Sequence, residues 1–454
     1  MLLAAALRSA SAQTSSDYSL FDISGQTSGS SNDKFAGVSV VQGTTQPVAV
    51  FTPSSADCVG IYSTATGAFT CPSTITSGSD SVHTNNKFLG AAVSRGSSKV
   101  IMAPYRESRI GIFDVAAYEA AVQSGNTNGG FTPFTMTGVS WPSSDAKFAG
   151  AVSMNDGKVA FAPNRADCIG IFDPNAAGGG SFTCEPVGTI AGVSAVNHKK
   201  FHGAALARDG RVILAPHQAN CVGIYNPNPP AGSSPFSCED ISSVTSISGK
   251  FQGAVTAPDG KIIFAPYQAD CVGVFDPAAT SSPFACISSS PTTANAKFLG
   301  GVVGRNGLAI FAPFSVDVIG MFDAASSTYT AISIPSSLWS TQMAFSGAAT
   351  TDTGLVLFAP RKSNGIGLFQ LPPPPPAPPH PPQLMPAPSQ SPFDWHAQCC
   401  GSTQGRGRML EEVEVTPWAG FRASIDAHNR KLFAERPDLA SRHEAARQRL
   451  SGAS

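Results

Sequence analysis

Between Lys34 and Gln370 short apolar runs alternate with polar, glycine- and serine-rich turns, and the alternation itself repeats. The clearest copy is residues 250–286, KFQGAVTAPDGKIIFAPYQADCVGVFDPAATSSPFAC. The Phe of its KFxG opening recurs at Phe35, Phe88, Phe148, Phe201, Phe251, Phe298 and Phe345, in steps of 53, 60, 53, 50, 47 and 47 residues. A period of this length marks a propeller or solenoid, in which each unit buries its apolar faces against its neighbours. Three further columns keep step with the Phe: a Gly two residues later, a Pro that ends the second apolar run, and a VGIF-like run.

Each unit is predicted to hold four strands, which in the clearest copy cover residues 251–257, 261–266, 271–276 and 284–287. The first two are joined through Asp259-Gly260, a strong hairpin signal because both central turn positions need positive φ. The signal recurs at Asp156-Gly157, Asp209-Gly210 and Asn306-Gly307. Seven such units predict an all-β, seven-bladed β-propeller over residues 13–370. The last unit lacks a fourth strand, whereas an orphan strand, YSLFDI at Tyr18–Ile23, precedes the first and resembles the fourth strands TYTAIS and PFACIS. Pairing the two closes the ring and leaves no sheet edge open.

Composition changes the picture at both ends. Residues 371–392, LPPPPPAPPHPPQLMPAPSQSP, are expected to form an extended polyproline II linker. Residues 393–454 carry Cys399, Cys400 and a weak helical pattern. With so few apolar positions this tail is expected to be helical or partly disordered, or to fold on a partner. Residues 1–12 end in the A-x-A pattern of a secretory signal peptide. No later run approaches the ~20 apolar residues of a transmembrane helix. Lys and Arg total 29 against 30 Asp and Glu, so no basic field exists to hold a nucleic acid.

Eight of the ten cysteines fall in pairs inside single units: Cys58 with Cys71, Cys168 with Cys184, Cys221 with Cys238, and Cys271 with Cys286. The first member precedes the VGIF run and the second closes the next strand, so an antiparallel hairpin brings them together as a disulfide. Where one column is lost the other is lost too, with Arg109 and Met136 in the second unit, Val318 and Ala331 in the sixth, and Gly365 and Leu20 in the seventh. Two Cys without His neighbours make half a zinc site, and no metal or cofactor is expected. Disulfides imply an extracellular or secretory location; reduced thiols would place the chain in the cytoplasm.

The loops joining fourth to first and second to third strands gather at one face of a propeller. Six units place a Lys before the Phe there (Lys34, Lys87, Lys147, Lys200, Lys250, Lys297), opposite a column of Asp and Asn. A residue present in nearly every blade answers a need common to every blade, so this ring is read as blade-to-blade packing. Function should break the repeat. The variable loop positions Tyr105, Arg106, Arg165, His217, Tyr267, Gln268, Phe314 and Arg361 are the expected ligand-binding residues, for a glycan, a small acid or a peptide. Were the protein an enzyme, His217, His202 and Glu107 are the catalytic candidates, the two His as an acid-base pair or metal ligands.

The repeat, with its DGK hairpin followed by an IGxFDP-like strand, resembles those of the seven-bladed superfamily that includes NHL-repeat, kelch-like and virginiamycin B lyase proteins. It is most similar to the lyase group, and the resemblance covers Tyr18 to Gln370. It implies a ligand site at the channel mouth. The lyases' catalytic His and metal-binding Glu constellation has no counterpart motif here beyond His217. The expected function is therefore an exported, non-catalytic binding or structural propeller. The alternatives are a lyase- or lactonase-type enzyme at the channel mouth and an intracellular interaction scaffold.

Overall fold

A computed structural model describes residues 17–27, 33–41, 46–72, 75, 85–126, 128–137, 146–188, 199–288, 295–339 and 342–372. The chain divides into two compact units, residues 1–378 and 379–454, and all described residues belong to the first. Residues 1–12, expected from the sequence to be a signal peptide, and residues 373–454, which hold the rest of the expected linker and the expected tail with Cys399 and Cys400, lie outside the described residues.

The described strands form seven four-stranded antiparallel sheets, the seven blades of a β-propeller. In blade 5 the strands are Phe251–Thr256, Ile262–Pro266, Cys271–Phe275 and Phe284–Ser288, in sequence order from the axis outward. Both faces of a blade meet another blade. For that reason the second strand is apolar throughout and wholly buried, as in Ile262–Pro266, rather than alternating apolar and polar. The core consists of seven layers between adjacent blades. One joins Phe251, Phe264 and Phe275 of blade 5 to Ile213, Val222 and Ile241 of blade 4.

Blade 7 takes its first three strands from Phe345–Thr350, Leu355–Pro360 and Gly365–Gln370, and its outermost from the chain start, Tyr18–Asp22. Tyr18 faces Phe369 and Asp22 faces Gly365 in an unbroken antiparallel ladder. The closure foreseen from the orphan strand is present. Across the same seam the Lys34 ammonium donates to the Ser363 carbonyl at 3.2 Å, and Arg361 pairs with Asp33 at 2.7 Å.

The glycine two residues after each Phe lies in a bulge where the ladder slips, as between Phe251 and Ala254. Gly253 has φ +116°, and a Cβ on it would come within 2.6 Å of the Gly300 Cα. The same contact runs from Gly37 through Gly90, Gly150, Gly203, Gly253, Gly300 and Gly347 and returns to Gly37, at 2.6–3.2 Å. The first strands thus form a backbone collar around the axis in which no side chain fits. The glycine of the VGIF run has a different cause: a Cβ on Gly273 would strike the Phe251 ring at 2.9 Å.

The four cysteine pairs are disulfides with Cα–Cα distances of 5.3–5.4 Å, each tying the third strand of a blade to its outermost strand. The second Cys faces the VGIF glycine, as Cys184 faces Gly170. That register corrects one column. In blade 2 the residue facing Gly111 is Pro133, not Met136. The shift follows from an inserted helix, Val115–Gln123, capped by the Asp114 carboxylate accepting from the backbone N–H groups of Ala116 and Ala117. This helix, which the strand reading missed, accounts for the long 60-residue step.

Candidate functional site

The lysine column sits between blades. In blade 5 the Lys250 ammonium donates to the Ala219 carbonyl at 3.1 Å and to Asn220 Oδ1 at 3.0 Å, both in blade 4. Lys87, Lys200 and Lys297 repeat the arrangement with Asp57, Asp167 and Asp270 of the preceding blade. Lys147 reaches the carbonyls of Arg106 and Glu107. Lys250 is fully buried, and burial pushes its pKa down to about 8. These cations hold blade to blade and are spent on that task.

Inside the lysine ring, on the axis, lies a cavity of about 260 Å³ to which all seven blades contribute. Its lining includes Tyr105, Arg106, His202, Tyr267, Phe314 and Arg361, all singled out from the sequence for breaking the repeat. It also includes Ser54, Asn86, Asn164, Lys199, Gln252 and Met343, with an apolar portion from Phe88, Leu89 and Leu299. The column just after the KFxG Phe supplies Leu89, His202, Gln252 and Leu299. Its variability was the available signal for three residues that the sequence reading passed over. Lys199 was hidden by doubling, since HKKF offers two lysines where the repeat needs one.

Four residues singled out from the sequence are not in the described lining. Glu107 is buried in the 2–3 loop and its Oε1 accepts from Arg109 Nε at 3.0 Å, so its charge is used within blade 2. Arg165 contributes its backbone carbonyl to Lys200, while its guanidinium charge is felt by Lys199. Gln268 packs its side chain beside Gly249. His217 lies buried behind the lining; its ring bonds the Phe251 backbone, and Nδ1 stands 3.4 Å from Gln252 Nε2.

Aromatic rings continue along one arc of the wall. Ring centroids are 6.1 Å apart between His202 and His217, 5.9 Å between His217 and Tyr267, and 6.0 Å between Tyr267 and Phe314. The Arg361 guanidinium closes the arc, 5.5 Å over the Phe314 ring. The opposite arc is polar, with the Ser54 hydroxyl bonded to Asn86 Oδ1 at 3.3 Å and Asn164 Nδ2 donating to the Phe201 carbonyl at 3.0 Å. Charged groups in the described lining are Arg106, Lys199 and Arg361, all cations. Among the described residues no three His, Cys, Asp or Glu side chains gather closely enough to hold a metal ion, so the residues present do not fit one.

The two histidines are neutral at pH 7. Burial holds His217 down at about 4, helped by the charges of Lys199 and Lys250. Burial also puts His202 well below its ordinary value, reinforced by His217, Arg361 and Lys199. Because the folded state resists protonation, the unfolded chain binds more protons between pH 6.5 and 4. Stability is then complete above 6.5 and falls as pH drops through that window, by about 3 kcal/mol for His217 alone. Urea unfolding at pH 7 and pH 4.5 should show this loss, and a His217→Phe variant, which keeps the ring stack, should show a shallower slope. Equal slopes would mean that other groups carry the acid sensitivity.

No known family's sequence profile matches the chain, and no curated protein matches it in sequence. Solved structures do match in shape. A catalytically inactive virginiamycin B lyase from Staphylococcus aureus, solved with quinupristin, superposes with a TM-score of 0.58 at 16% identity, covering 78% of this chain and 99% of that one. A streptogramin B lyase gives a TM-score of 0.56 at 16% identity over 78% and 97% of the two chains. The extracellular domain of a hybrid two-component system from B. thetaiotaomicron gives 0.51 at 11% identity, covering 75% of this chain and 39% of that one. At these identities the likeness establishes a seven-bladed propeller arrangement, as the repeat implied, and nothing of activity.

Proposed function

We propose that this chain is an exported, non-catalytic propeller that binds a small ligand in its axial cavity. The observation that carries the reading is the make-up of that cavity: residues from all seven blades converge on it, and most of them come from the columns that break the repeat. A cavity of about 260 Å³ lies just below the ~300–1,000 Å³ of sites for drug-sized molecules, which suits a ligand of one ring or one sugar unit. Export is supported by the four disulfides, which persist in oxidising compartments. No described helix is long and apolar enough to cross a membrane.

The test is a thermal-shift screen of the full chain with monosaccharides, small organic acids and dipeptides, each mixture then analysed for consumption of the compound. The expected result is stabilisation by one class, recovered unchanged, and lost in a Leu299→Trp variant that fills the apolar part of the cavity. Consumption of a stabilising compound would move the reading to a lyase- or lactonase-type enzyme. Stabilisation that survives Leu299→Trp would place binding elsewhere.

A further inference from the structure

The two arcs of the cavity wall ask for different halves of one ligand. Tyr267 and Phe314, 6.0 Å apart, line one side, and Leu89 and Leu299 add apolar surface to the lining, so the cavity suits a flat apolar ring. Lys199 carries the complementary demand. Its side chain has no hydrogen bond or ion pair among the described residues, and burial together with the charges of Arg165 and Arg361 presses its pKa down. An anionic group beside it relieves the repulsion among three cations. Asn164 adds a third demand: it is 1% exposed, its Nδ2 is satisfied by the Phe201 carbonyl, and its Oδ1 is buried in the lining without a partner. A buried acceptor left unmet disfavours ligands that bring no donor.

We infer that the ligand of the axial cavity is a hydroxylated aromatic monocarboxylate, its ring against Tyr267 and Phe314, its carboxylate at Lys199 and its hydroxyl donating to Asn164 Oδ1. The inference rests on the small-ligand reading above and narrows it to one chemical class. A sugar meets the acceptor but brings no anion or flat apolar ring; a peptide longer than a dipeptide exceeds the volume.

The experiment is calorimetric titration of the full chain with 4-hydroxybenzoate, benzoate, 4-hydroxybenzyl alcohol, cyclohexanecarboxylate and glucose. 4-Hydroxybenzoate should bind at least tenfold more tightly than each of the other four, because each lacks one or more of the three features. Lys199→Met should weaken 4-hydroxybenzoate at least tenfold while leaving 4-hydroxybenzyl alcohol within about twofold, and Lys199→Arg should restore acid binding. Glucose binding as tightly as the aromatic acid, or acid affinity indifferent to Lys199→Met, overturns the ligand class but leaves a small-ligand site standing. Failure of all five probes overturns the class as well. If the broader screen also yields no cavity ligand, the small-ligand reading falls with it.

Discussion

Gly203→Ala should be among the most damaging single substitutions in this chain, costing about 2–5 kcal/mol of stability. Two terms add. The backbone at Gly203 has φ +99°, outside the regions open to L-residues, which costs roughly 1–2 kcal/mol for any Cβ. The new methyl would also lie 2.7 Å from the Gly253 Cα and 3.0 Å from its nitrogen, and overpacking of that kind costs ~1–3 kcal/mol. Neither neighbour can yield cheaply, because Gly253 is itself held against Gly300 and the collar continues around the axis to Gly37. Gly178→Ala is the control. It has φ +81° but nothing within 4 Å, so it carries the first term without the second. Urea midpoints should place Gly203→Ala at least about 1 kcal/mol below Gly178→Ala. Equal losses would show that the collar is loose enough to absorb a methyl group and has no part in holding the ring.

The collar also explains why the fold was readable from sequence while the site was only half so. Every blade needs the same glycine and the same Phe lying over the same VGIF glycine, and six of the seven place the same Lys against the neighbouring blade. Each requirement therefore appears seven times, or nearly so, and stands out against chance. Blade closure was legible for a related reason: a propeller with one strand missing at its end and one spare at its start has a single economical solution. Non-repeating features left fainter marks. The helix Val115–Gln123 has a capping Asp114 and an alanine-rich run, but it is one short element among strands and was absorbed into an unusually long step. In the cavity, breaking the repeat correctly pointed to Tyr105, Arg106, His202, Tyr267, Phe314 and Arg361. The same rule also selected Glu107, whose exceptional character answers a local need, charge compensation for Arg109. It selected His217 as well, which stands one layer behind the lining and holds Gln252 and the aromatic arc in place. A difference from the repeat marks a special environment, and only the side-chain geometry tells whether that environment is the ligand's or the protein's own.

Reduction of the disulfides should have a larger total effect than any point mutation, and an uneven one. The bridges close loops of 13, 16, 17 and 15 residues in blades 1, 3, 4 and 5. Loops of that length are worth ~3 kcal/mol each in chain entropy, so the four together come to about 12 kcal/mol, comparable with the ~5–15 kcal/mol of a whole domain. A chain of this size should lose roughly 10–20 °C in Tm. The loss should begin at the rim, because each bridge ties an outermost strand, the one with fewest neighbours, to the strand inside it. Limited proteolysis after reduction should therefore open new cuts around residues 69–70, 181–186, 236–240 and 284–288. The outer strands of blades 2, 6 and 7, which never had a bridge, should keep their cleavage pattern. Alkylation of any of these eight cysteines before reductant is added, located by peptide mapping so that Cys399 and Cys400 are not counted, would refute the bridges and with them the argument for export. Uniform new cleavage in all seven blades would show instead that the ring fails as one cooperative unit, with the staples acting on the whole propeller rather than on single blades.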